Sequence, residues 1–98
     1  MSVLKKIIEQ QAIALDTQVE IGRIMMQEAE MEERGALQAV AGPVAAEAGV
    51  LATDFLMRLT EYAILIGDEE ATSVGGNALI VAANRSREAL HTQKDSDR

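Results

Sequence analysis

From Val3 to Arg34 the residues Leu4, Ile8, Ala12, Leu15, Val19, Met26 and Ala29 recur at intervals of three, four or seven, while Lys5, Glu9, Asp16, Glu20, Arg23, Gln27 and Glu30 follow a separate line. Two such lines, one apolar and one polar, predict an amphipathic helix over about 3–34. Ser2 stands where an N-cap belongs, although lysines rather than acids fill the first turn. At 1.5 Å per residue such a helix runs about 45 Å. A compact globule of 98 residues would be only about 25–30 Å across, so an elongated molecule is expected.

The second apolar segment, 44–66, carries only four charges, Glu47, Asp54, Arg58 and Glu61, at intervals of seven, four and three. They form one narrow stripe on an otherwise apolar cylinder. Val44, Ala48, Leu51, Phe55, Leu59, Tyr62 and Ile66 read as its buried line, widened by Val50, Met57, Ile64 and Leu65. A helix of this kind needs neighbours on more than one side. Gly67-Asp68-Glu69-Glu70 then reads as a stop and a start: glycine past a helix end, aspartate as N-cap and two acids in a first turn.

A third helix is predicted over 69–91, with Val74, Ala78, Leu79, Val81, Ala83 and Leu90 as its apolar positions. Gly75 and Gly76 near its start either break it or let another backbone come close, since each interior glycine costs about 0.8–1 kcal/mol relative to alanine. Only Ala78-Leu-Ile-Val-Ala could pass as a strand, and a lone strand leaves its edges unpaired. The expected fold is all-α: an elongated helical hairpin or three-helix bundle, one domain over 1–91, completed by oligomerisation. Residues 92–98 are polar throughout and read as a flexible tail.

Between the first two segments, Gly35, Ala39, Gly42, Ala46 and Gly49 fall at alternating intervals of four and three. If helical, they form a smooth line that lets two helices pack at the short end of the usual 8–10 Å range. Pro43 complicates that, because a mid-helix proline costs about 3 kcal/mol. The expectation is therefore a bend at Gly42-Pro43, with Pro43 in a first helical turn and helical flanks on both sides. Gly75, Ala78, Ala82 and Ala89 make a second small-residue line that could face the first.

Composition agrees with helices packed through small contacts, since Phe55 and Tyr62 are the only aromatic residues and there is no tryptophan. The net charge of −7, from 16 acidic and 9 basic residues, leaves no basic third of the chain. Nucleic acid, which needs a positive stripe to displace counterions, is not an expected partner. Without cysteine there is no disulfide, thiolate metal site or thiol nucleophile.

The N-terminal stretch turns polar too soon for a cleaved signal peptide. The uncharged runs Gly35–Ala46 and Ala71–Asn84 fall short of the roughly 18 apolar residues that span a bilayer. No membrane span is expected, and the expected location is the cytoplasm; export by a route without a cleaved signal stays open.

Candidate chemistry is sparse. Gln11 and Gln18, on the line Ile7, Gln11, Ala14, Gln18, Ile21, Met25, border the apolar face; they either set the register of a helical seam or reach water. Asn77 and Asn84 pose the same alternative. Glu28 and Glu32 are one turn apart, and Glu88 and His91 have the i, i+3 spacing of a helical metal-binding pair, but no second copy of that pair exists within the chain. Solvated helix ends are the expectation for both, so no metal or other cofactor is assigned. The serines and the single histidine make no nucleophile pattern.

The expected function is non-catalytic: a structural or scaffolding protein that self-associates through apolar and small-residue helix faces. Its interface residues would be Gly35, Ala39, Gly42, Ala46, Gly49, Leu51, Phe55, Leu59 and Tyr62. The alternative is an adaptor or chaperone-like module whose apolar groove receives a helix of another protein, with the methionines Met25, Met26 and Met31 as an adaptable surface. An enzyme with a carboxylate-lined site between subunits is the third and weakest reading.

Overall fold

The computed structural model describes residues 2–96 and the side chains of residues 2–88, and it shows three helices: α1 Val3–Gln27, α2 Met31–Leu65 and α3 Glu69–Ser96. No strand occurs among the described residues. Each helix packs against the other two, in an elongated bundle of 49 × 25 × 17 Å. The connections, 28–30 and 66–68, are short, and short connections make consecutive helices antiparallel neighbours.

The expected caps are in place. Ser2 accepts from the Lys5 amide at 3.0 Å. At the end of α2 the Asp68 amide donates to Ala63 O and the Gly67 amide to Ile64 O, the paired bonds of a Schellman stop. Gly67 has φ of 73°, a left-handed conformation that glycine adopts without penalty. Asp68 then caps α3 by accepting from the Ala71 amide at 3.1 Å.

The core is small and centred on Ile8, Leu15, Leu56, Ala63 and Ala71, with Leu4, Val19, Ala52, Leu59, Val74, Ala78, Leu79 and Ala82 packed around it. Alanines in and around this core, Ala52, Ala63, Ala71, Ala78 and Ala82, leave room for the helices to approach, and Gly75, which is buried, admits Thr60 of α2. Two glutamines fix how α1 lies on α2. Gln11 Nε2 donates to Ala52 O at 3.0 Å, and Gln18 Nε2 donates to Ala45 O at 3.3 Å. Donors seven apart on one helix meet acceptors seven apart on its antiparallel neighbour, so both bonds belong to one register. Asn77 and Asn84, by contrast, are exposed.

Three expectations are corrected. The first boundary lies at Glu28–Glu30 and not near residue 34 or at Gly42-Pro43: Glu30 is extended at φ −61°, ψ 156°, and Glu32 and Glu33 fill a new first turn, where the helix dipole favours acids. Helix α2 then runs unbroken through Pro43. The residue before a proline is normally pushed out of the helical region by a clash involving its Cβ; at Gly42 there is no Cβ, which lowers that cost. Finally, α3 continues to Ser96 rather than ending at 91, while Asp97, Arg98 and the side chains of 89–96, His91 included, lie outside the described residues.

Continuity through Pro43 joins the apolar runs on either side of it. By length and composition alone, α2 is now long and apolar enough to cross a membrane, with a mean hydropathy of 1.3 over 18 residues, 6% of them buried in the bundle. The premise that every apolar stretch is too short therefore fails for α2.

Candidate interaction surface

With α1 and α3 on one side only, α2 buries Leu56, Thr60 and Ala63. The line expected to be buried is not. Val44, Leu51, Phe55 and Tyr62 are between 51 and 67% exposed, Ile66 is exposed as well, and Ala48 and Leu59 are half-buried. The reason is geometric: two neighbours cover one side of a helix, and the covered side is the alanine-containing one that permits close approach. The charged residues Glu47, Asp54, Arg58 and Glu61 are all exposed, and Arg58 lies 3.8 Å from Asp54 and 3.5 Å from Glu61.

The nine expected interface residues do not share one surface. Gly42, Ala46 and Gly49 line a groove of about 870 Å³ between the C-terminal half of α1, the middle of α2 and α3 around Leu79 to Ser86. Gly35 and Ala39 are exposed near the start of α2, and a Cβ built on Gly35 meets no atom within 4 Å. Leu51, Phe55, Leu59 and Tyr62 lie off the groove. Among the described side chains the two small-residue lines do not pack on each other: Gly75 meets Thr60, and Ala82 helps line the groove.

Met25, Met26 and Met57 contribute to the groove, and Gln38 Nε2 approaches Met26 Sδ at 2.7 Å across it. Met31 is exposed at the start of α2 and does not line it. The lining is largely apolar, with Arg23 and Asp54 as its two charged members among the described residues.

A charged network ties α3 to α1 beside the groove. Arg85 pairs with Asp16 and, at 2.5 Å, with Glu20; Arg23 pairs with Glu20 and Glu28, each at 2.6 Å. The hydrogen bond from Arg23, aided by the charge of Arg85, holds the Glu20 carboxyl below its ordinary pKa, and Glu20 and Glu28 hold the Arg23 guanidinium above its own. The cross-helix role of Arg85 was not legible from spacing, since the partners are 65 or more residues away in sequence.

The same contacts show where the carboxylates lie. Glu28 caps α1 and pairs with Arg23, while Glu32 belongs to the first turn of α2, so they are not one turn apart on a single helix. Among the described residues no group of three or more His, Asp or Glu side chains converges. Glu88 is exposed on α3. No family model, curated protein or solved structure matches the chain.

Proposed function

We propose that this protein is a non-catalytic scaffold that works by self-association. The observation that carries the reading is the exposed line Val44, Leu51, Phe55 and Tyr62 on α2, the longest helix, including both aromatic residues of the chain. Contiguous apolar surface of this extent on a water-soluble protein marks an interaction site. A bilayer would also accept it, but Glu47 and Asp54 sit in the middle of α2, and a carboxylate near a bilayer centre costs about 2.5–3.5 kcal/mol or more. Water and a protein partner suit those charges better.

Size exclusion with light scattering, in the absence of detergent, tests the reading. The expected result is a mass of two or more chains at micromolar concentration, reduced to one chain in the double variant Leu51→Glu, Phe55→Glu. A wild-type chain that stays monomeric overturns it.

The groove favours a second reading, an adaptor that receives an apolar helix from another protein. Its volume lies within the 300–1,000 Å³ typical of ligand sites, and its methionines can repack around different side chains. Strong binding of an apolar dye by the wild-type oligomer, abolished by filling the groove, is the result this reading requires.

A further inference from the structure

The exposed line on α2 has a spacing that reads nearly the same in both directions. Its exposed members are Val40, Val44, Leu51, Phe55, Tyr62 and Ile66, with the half-buried Ala48 and Leu59 along its inner edge. Turned end for end about the level of Thr53, Val40 falls opposite Ile66, Val44 opposite Tyr62 and Leu51 opposite Phe55. At these three levels large apolar residues therefore meet large apolar residues, as a two-fold interface requires of a patch that must complement itself, while the half-buried Ala48 and Leu59 fall level with Arg58 and Glu47.

Helix α1 extends the patch. At about 100° per residue, Ile7 and Ile21 lie on the far side of Gln11 and Gln18 from the core residues Ile8 and Leu15. On α2, Val44, Leu51, Phe55 and Tyr62 likewise lie on the far side of Ala45 and Ala52 from Leu56 and Thr60. The glutamine register puts Ile7 level with Leu56 and Ile21 level with Gly42. Ile7 and Ile21 are each 42% exposed, and Val40 is 82% exposed. The exposed share of these eight large side chains, Val40, Val44, Leu51, Phe55, Tyr62, Ile66, Ile7 and Ile21, is on the order of 800 Å², given about 150–250 Å² for a whole aromatic residue. That matches the roughly 800 Å² per partner of a stable interface.

Charge agrees with the same register. In an antiparallel pair, residues on one rim face residues on the same rim of the partner. Glu47 then stands level with the partner's Leu59, one residue from the partner's Arg58, and the two-fold repeats the encounter. Glu47 and Arg58 both border the apolar line and are exposed. Asp54 comes near its own copy, each carboxylate beside the Arg58 of its own helix.

We infer that the chain forms an antiparallel α2–α2 homodimer, with its two-fold axis at the level of Thr53 and two Glu47–Arg58 pairs along the rim. This rests on the self-association proposed above and adds its partner geometry. The chain has no cysteine, so single cysteines report it directly. Val44→Cys and Tyr62→Cys are prepared separately, checked for unchanged helicity by circular dichroism, and oxidised mildly alone and mixed.

A disulfide-linked dimer in the mixture, with little in either variant alone, is expected. Linkage of Val44→Cys to itself shows a parallel pair, and a dimer by light scattering with no linkage shows another face; either overturns the inference and leaves self-association standing. A monomer by light scattering overturns both. As a second check, Glu47→Arg and Arg58→Glu each dimerise several-fold more weakly alone, and mixing them restores wild-type affinity through a heterodimer in which every rim pair is again of opposite sign. No gain on mixing also overturns the register.

Discussion

Gly75 of α3 lies against Thr60 of α2 so closely that a Cβ added to the glycine would come within 3.1 Å of the threonine Cβ and 3.2 Å of its Cγ2, and nearer still to its hydroxyl. That hydroxyl already donates to Leu56 O at 2.8 Å and cannot swing away without losing the bond. Its neighbour Gly76 has open space where a Cβ would go. One glycine is a packing requirement, and the other is only a weak point in the helix.

Gly75→Ala is therefore expected to destabilise the bundle by about 1–3 kcal/mol, as overpacking does. Gly76→Ala should stabilise it by up to about 1 kcal/mol through helix propensity. Urea unfolding measures both. Combining Gly75→Ala with Thr60→Ala should recover much of the loss, and equal effects of the two glycine variants would contradict the close contact.

The glutamine pair gives a second expectation. Gln11→Ala and Gln18→Ala should each cost about 0.5–1.5 kcal/mol, the net worth of one hydrogen bond. The positions are about 10 Å apart along α1, so the double variant should be nearly additive. Thermal unfolding of the three variants checks it; no loss at either site would mean the amides serve solvent.

Gly49 separates the two proposed surfaces. A Cβ there would lie 4.0 Å from Gln18 Cγ, an ordinary contact, so Gly49→Ala should be stabilising by about 0.5–1 kcal/mol. Gly49→Leu projects further into the groove and should abolish dye binding there while leaving the oligomer mass unchanged. Loss of the oligomer in Gly49→Leu would move the self-association site from the outer line of α2 to the groove.

Asp68 predicts an acid-side dependence. The Ala71 amide, then the Ser2 side chain and the Lys5 charge, lower the pKa of its carboxyl from 3.8. A group with a depressed folded value contributes its full share above the unfolded value and loses it as pH falls through the folded one. Stability should drop below about pH 4, and Asp68→Ala, less stable by a few degrees in Tm at neutral pH, should show a shallower drop. Parallel curves for the two proteins would show that the cap carries no charge dependence.

The face of α1 and the Gly67-Asp68 stop were legible because each rests on local rules: helical spacing for Ile8 and Leu15, and left-handed φ followed by a capping carboxylate at the turn. The break at Glu28–Glu30 was not, since Glu30 makes no side-chain cap bond and the acids of the new helix resemble the end of the old one. Pro43 misled for the opposite reason, a strong local signal muted by the glycine before it. The buried side of α2 was also hidden. Hydrophobicity marks residues that avoid water, whereas burial here follows the alanines that let neighbours in, and Leu56 and Ala63 won over Phe55 and Tyr62.

Because Gln11 and Gln18 grip main-chain oxygens, α1 recognises α2 as a helix and not as a particular set of side chains. Residues 45 and 52 are then free to vary among small amino acids without disturbing the alignment, whereas the two glutamines are not. The burden of keeping the helices in step falls on one of them, and the other is left open to change its outer face for whatever it meets.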